Sequence, residues 1–214
     1  MNFDNFWDGE GAAHTLDFGQ TWRSVPEARF APASVRLRRT ETGLAIWAEL
    51  FDADIGTRAT GRNQRLWELG DCFEVFLAQS ESSPYIEVHF APNGHTLELA
   101  WGAQGNGGEF DFERDLVTSG LIARHCVWLE EEGEEIGRWF VSATIPWRAF
   151  LSDKALALAQ SGAPVTIRAN FGRYDYSLSR SPGEPVLSST SPHTASAGSL
   201  PSFHRRDEWR SLAL

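Results

Sequence analysis

Two glutamates, a histidine and a tryptophan fall in two short runs that alternate apolar and polar residues. Trp67 precedes Cys72-Phe73-Glu74-Val75-Phe76-Leu77, and Tyr85-Ile86-Glu87-Val88-His89-Phe90-Ala91 follows after a short loop. At period two, Phe73, Val75 and Leu77 share one face with a core, while Cys72, Glu74 and Phe76 share the other. The two runs read as a hairpin. With the Gln79 to Pro84 loop taken as tight, the register sets Glu74 opposite Glu87, Phe76 opposite Tyr85 and Cys72 opposite His89. Side chains so paired lie roughly 5 Å apart, where like charges destabilise unless an arginine, a cation, a shared proton or ligand hydroxyls compensate. A solvated outer face with the acids apart is the plain structural alternative.

Three chemistries suit such a face. A carbohydrate site would use Glu74, Glu87 and His89 to hydrogen-bond sugar hydroxyls while Trp67 stacks on the apolar side of a ring. A glycoside hydrolase would use the same glutamates, since carboxyls about 5–5.5 Å apart serve a retaining mechanism. Both acids sit in mid-strand with no evident cleft, which ranks this reading second. A haem-holding electron-transfer module ranks third: Met1 is the only methionine, so a Met/His axial pair is hard to build and no haem is expected.

The elements that would position this face are mostly strands. His14 to Phe18 reads as a first strand. Ser34 to Arg39 and Leu44 to Phe51 form a hairpin about Glu41-Thr42-Gly43. Asp52-Ala53-Asp54 follows a strand end; its spacing makes Asp52 and Asp54 cation candidates, although a turn of solvated acids explains it as well. Pro92-Asn93-Gly94 turns the chain into a strand from His95 to Trp101. Gly102 to Gly108 lacks the residues of a phosphate-binding loop. Strands are expected over Ser119 to Leu129 and Arg138 to Ile145, joined by an acidic turn. A helix starts at Pro146 with Trp147, Phe150 and Leu151 on one side, and Ala155 to Gln160 extends it or forms a separate turn. A strand spans Pro164 to Phe171, with Arg173, Tyr174 and Asp175 just past its end. Ser177 to Ser202 is a long Ser/Pro/Gly-rich loop that frames a site or is disordered. Trp209 to Leu214 closes the chain as an edge strand. Short strands at hairpin spacing predict an all-β fold, one antiparallel β-sandwich over residues 1–214 with one or two short helices.

The formal charge of −10 argues against nucleic acid or an anionic membrane as partner. Nine Trp exceed the usual needs of packing, though most are expected in the core. Cys72 and Cys126 both fall in predicted strands, which leaves open an inter-sheet disulfide or two buried thiols. The first residues show no basic region and no apolar run, so the expectation is a cytoplasmic protein if the start is native. Nothing in the sequence gives an oligomeric state.

The order of these motifs resembles family 9 carbohydrate-binding modules and their DOMON-like relatives. The likeness is carried by Trp67-Glu68, then Gly70-Asp71-Cys72-Phe73-Glu74-Val75-Phe76-Leu77. Further matches are Ala48 to Ile55, Tyr85 to Gly94, Ile145-Pro146-Trp147, Asn170-Phe171-Gly172-Arg173 and Phe203-His204 to Leu214. It covers most of the chain from about Leu44 onward. The resemblance implies an immunoglobulin-like, calcium-associated β-sandwich, usually extracellular or periplasmic, that binds the ends of sugar chains without catalysis. It places the first stacking aromatic at Trp67, the signature carboxylate at Glu74, and polar sugar contacts at Glu87 and His89. The family's second Trp would fall near Ser189, in a stretch without aromatics, so Tyr174, Tyr176 and Trp101 are the candidates for the other wall, and nothing in the sequence places them there.

Overall fold

The computed structural model describes residues 14–103, 111–113, 115–128, 137–176, 183–195 and 199–214, with the backbone alone over 124–128. The chain runs through β1 (His14–Asp17), β2 (Ala33–Arg39), β3 (Gly43–Asp52), β4 (Cys72–Ala78), β5 (Tyr85–Phe90), β6 (Thr96–Trp101), β7 (Ile122–Trp128) and β8 (Gly137–Pro146). After α1 (Asp153–Gln160) come β9 (Thr166–Asp175), β10 (Val186–Ser189) and β11 (Arg210–Ala213). Two antiparallel sheets result. One has the order β1-β2-β3-β8-β7; the other has β10-β9-β4-β5-β6, with β11 also paired to β9. The predicted β-sandwich is therefore the fold.

Alternation builds the core. Val35 and Leu37 of β2, Leu44, Ile46, Ala48 and Leu50 of β3, and Val141 and Ile145 of β8 point inward from one sheet. They meet Phe73, Val75 and Leu77 of β4, Val88 and Phe90 of β5, and Ile167, Ala169 and Phe171 of β9. The ring of Phe73 stacks on those of Phe90 and Phe171 at 5.7 and 6.2 Å. Trp139, Trp147 and Trp209 are each fully buried and so belong to packing, as expected of most of the nine. No described helix is long and apolar enough to cross a membrane.

Three elements differ from expectation. The segment after Pro146 is a 3-10 turn (Trp147–Ala149), and α1 is a separate helix whose first turn is capped by Ser152 accepting from the Ala155 N–H. Strand β9 does not stop at Phe171 but carries Arg173, Tyr174 and Asp175, because β4 and β10 pair with it to its end. The Ser-rich stretch contains β10, whose period-two signal is hidden by Ser188 and Ser189 on a fully buried strand. The Gly102 to Gly108 loop is described only to Ala103, and the acidic turn after β7 lies outside the described residues.

Candidate functional site

The β4–β5 hairpin forms, but two residues away from the expected register. Glu74 pairs with His89, Phe76 with Glu87 and Ala78 with Tyr85. The tighter loop would place Ser83 and Pro84 within the ladder, and Pro84 has no N–H to donate. Instead Ser80 and Ser83 close a turn, with the Ser80 N–H on Ser83 Oγ at 2.9 Å and Ser83 Oγ on the Ser80 carbonyl at 3.0 Å. A slip of two keeps every side chain on its face. Glu74, Glu87 and His89 therefore still stand together, now with the histidine between the glutamates.

This outer face is not solvated. Every residue of β4 and β5 is buried. The roof comes from a 3-10 turn (Leu66–Glu68) on one side and from Pro201 to His204 on the other. Gly70 joins the first of these to β4 at φ +146°, and a Cβ there would meet the Gly56 carbonyl oxygen at 2.5 Å. Between the roofs lies a cavity of about 310 Å3, lined by Trp67, Glu74, Glu87, Trp101, Tyr174 and Phe203 together with Leu99, Pro201, Ser202 and His204.

Beneath it is a buried acid–imidazole set. His89 Nε2 lies 2.5 Å from Glu87 Oε1 and 3.4 Å from Glu74 Oε1. Glu87 Oε2 accepts from Trp101 Nε1 and lies 3.8 Å from His204 Nδ1. The Tyr85 hydroxyl and His204 Nδ1 share a hydrogen bond of 2.7 Å. Burial raises Glu74 to about 8, against the pull of His89 and with a push from Glu87. Burial also acts to raise Glu87, but the hydrogen bond and charge of His89 bring it below the usual range. Burial works to lower His89, yet Glu74 and Glu87 carry it upward. Burial holds His204 down, and with it the positive charge at the cavity wall.

Trp67, Glu74, Glu87 and Tyr174 line the cavity, and His89 sits fully buried behind them with its ring 5.1 Å from that of Trp67. Ser189 pairs with Gly172 and is buried, giving its Oγ–H to Asn170 Oδ1 at 2.7 Å. The other aromatic walls of the cavity are instead Trp101, Tyr174 and Phe203. The Trp101 and His204 ring centroids are 4.9 Å apart, those of Tyr174 and Phe203 5.9 Å. Phe203 and His204 went unnoticed as site residues because they follow an aperiodic run. Their place is fixed by the Phe203 carbonyl, which accepts from Trp209 Nε1 at 2.7 Å and Asn170 Nδ2 at 3.3 Å.

Asp52 and Asp54 line a different hollow, of about 280 Å3, beside Arg29 and Asp175. Asp52, Asp71 and Asp175 offer oxygens within 4.8 Å of one another. Arg173, itself fully buried, lies 3.2 Å from Asp52 Oδ2 and 3.1 Å from Asp175 Oδ2, and donates to the Phe51 carbonyl at 2.5 Å. Both Asp71 oxygens accept backbone N–H groups, from Gly56 at 2.6 Å and Tyr176 at 2.8 Å. Burial still raises Asp71 to about 8 and Asp175 to about 7. The Arg173 guanidinium thus already pairs with two of the three carboxylates that an ion at this set would share, and it competes with calcium for them.

No family model matches the chain, and no curated protein matches it in sequence. A solved structure from Bacteroides uniformis ATCC 8492, provisionally named as a carbohydrate-binding protein, is similar at TM-score 0.63 and 19% identity. The match covers 93% of this chain and 84% of that one. A family 9 carbohydrate-binding module from Caldicellulosiruptor kristjanssonii, solved with cellotriose, gives TM-score 0.45 and 12% identity over 78% and 68% of the two chains. The first likeness shows a shared fold; the second is too loose to bear on the site.

Proposed function

We propose that this protein is a non-catalytic carbohydrate-binding module whose cavity over β4, β5, β6 and β9 receives a sugar. The observation that carries the reading is Glu74: a 3% exposed carboxylate lining an aromatic-walled cavity, whose one described polar contact is His89 at 3.4 Å. A buried acceptor left so poorly satisfied is offset when a ligand supplies donors. Trp67, Trp101 and Tyr174 supply ring faces for the apolar side of a pyranose. The volume lies at the lower end of ligand sites, about 300–1,000 Å3, and suits a single ring or a chain end. The carbohydrate-binding name of the Bacteroides neighbour agrees with this reading.

The hydrolase reading has one point in its favour, the opposite shifts of Glu74 and Glu87. Against it, both oxygens of Glu87, the glutamate kept ionised, are engaged, Oε1 by His89 and Oε2 by Trp101, so neither is free to act as a nucleophile. Calorimetric titration with a panel of mono- and oligosaccharides tests the binding reading. Heat is expected with at least one sugar and is lost in Trp67→Ala; no heat with any sugar ends it. Hydrolysis of aryl glycosides abolished by Glu74→Gln would establish the enzyme instead.

A further inference from the structure

The cavity's polar lining is lopsided. Of its ten described lining residues two are glutamates, and none is lysine or arginine. The indole N–H of Trp101 already serves Glu87, which leaves as donors the indole N–H of Trp67 and the hydroxyls of Tyr174 and Ser202 beside His204. Neutral sugar hydroxyls both donate and accept, so a site for them needs donors as well as acceptors. This one sets between its ring faces a carboxylate, Glu74, that no lysine or arginine of the lining balances.

Charge points the same way. Fully ionised, Glu74, Glu87 and His89 sum to one net negative charge in a space closed by aromatic rings. His89 lies closest to Glu87, at 2.5 Å, and Glu74 is left with the longer contact. Among the described residues the groups facing Glu74 are Glu87 and His89 from β5, Tyr174 from β9 and Cys72 on its own strand; of these His89 alone can bring a positive charge, and His204 at the cavity wall is held toward its neutral form by burial. A buried carboxylate without a full counter-ion either keeps a proton or meets a cation. Trp67 and Trp101, with Tyr174, add the electron-rich faces that attract ammonium groups.

We propose that the ligand of this cavity is a sugar bearing a free, protonated amine, with Glu74 as its counter-ion. The inference rests on the carbohydrate reading and narrows it to hexosamine-type residues at a chain end. The ammonium donates to Glu74 and balances the one surplus charge. Glu74, which burial otherwise holds protonated to about 8, gives up its proton as the amine binds.

The test compares glucosamine, N-acetylglucosamine and glucose by calorimetry near neutral pH, in buffers of different ionisation enthalpy. Glucosamine is expected to bind about tenfold tighter than the other two, as one charge-assisted hydrogen bond implies. The buffer dependence should show net proton release on binding. Glu74→Gln, checked for folding by its thermal transition, should abolish both the preference and the release. Equal affinity for the three sugars, or a preference that survives in Glu74→Gln, would overturn the amine assignment while leaving the carbohydrate reading in place. Absence of heat with all three, and with longer neutral and amine-bearing oligosaccharides, would overturn both. The wild-type comparison decides the matter even if the variant does not fold.

Discussion

Glu74 and His89 face each other across the β4–β5 ladder, with Glu74 Oε1 3.4 Å from His89 Nε2 and both side chains buried. Directly opposed positions on an antiparallel pair are where side chains interact most strongly. The same imidazole nitrogen lies 2.5 Å from Glu87 Oε1. One histidine therefore serves two carboxylates, and the imbalance falls on Glu74.

That imbalance sets a pH dependence. Folded Glu74 keeps its proton up to about 8, while an ordinary glutamate loses it near 4.5, so this group favours folding at low pH and withdraws its support as pH rises. His89 is raised above 6.5, and its contribution also fades as pH climbs through its folded value. His193 and His204 are lowered, which acts in the opposite direction but only below 6.5. Between pH 6.5 and 8 stability should therefore fall, by about 1.4 kcal/mol per pH unit for each retained proton. Thermal unfolding across that window measures it. Asp71, raised to about 8, and Asp175, raised to about 7, act in the same direction, so Glu74→Gln should make the slope shallower without levelling it, and a wild-type curve that is level or rising contradicts the assignment.

Gly172 gives a steric test of the site. It sits beside Glu74 on β9, and a Cβ there would fall 2.7 and 2.8 Å from two Phe203 ring carbons and 3.4 Å from Glu74 Oε2. Gly172→Ala should push the Phe203 ring off the sheet and destabilise the protein by about 1–3 kcal/mol. Sugar affinity should fall with it, because Phe203 is a wall of the cavity. An unchanged melting temperature together with unchanged titration heats would show that Phe203 does not hold this position.

Much of this site can be read from the sequence, and the limits have physical causes. Alternation over 73–77 and 86–90 reveals which side chains share a face, since period two is a property of any strand. It does not reveal register, which depended on a turn of serines and on the missing N–H of Pro84. It also does not reveal the roof. Phe203 and His204 lie far along the chain from Glu74 and reach it only because Asn170 and Trp209 bind the Phe203 carbonyl. The Asp52 and Asp54 spacing suggested a cation, but Arg173 is distant in sequence and its pairing with Asp52 has no local signature.

Cys72 offers a probe of burial that needs no ligand. It is a free thiol with no exposed surface, packed against Leu66, Ala91, Leu97 and Leu99. Burial raises its pKa well above the usual value, and the neighbouring glutamates add to this. Peptide mapping after alkylation should find Cys72 unmodified in the native protein and fully modified in denaturant. Ready native modification at Cys72 would mean that the outer face opens.

Arg173 supports the sharpest of these expectations. It spans Asp52 and Asp175 at 3.2 and 3.1 Å, all within the buried end of the sandwich. Removing one partner of such a set leaves the others charged and unpaired, at about 3–5 kcal/mol. Arg173→Ala should therefore lower the melting temperature sharply. In that variant Asp52, Asp71 and Asp175 would be released to gather around an added ion, since their oxygens already lie within 4.8 Å of one another. Calcium should raise the melting temperature of Arg173→Ala and leave that of the wild type unmoved. A wild type stabilised by calcium and weakened by a chelator would show that the ion and Arg173 share the site, and that the guanidinium does not take its place.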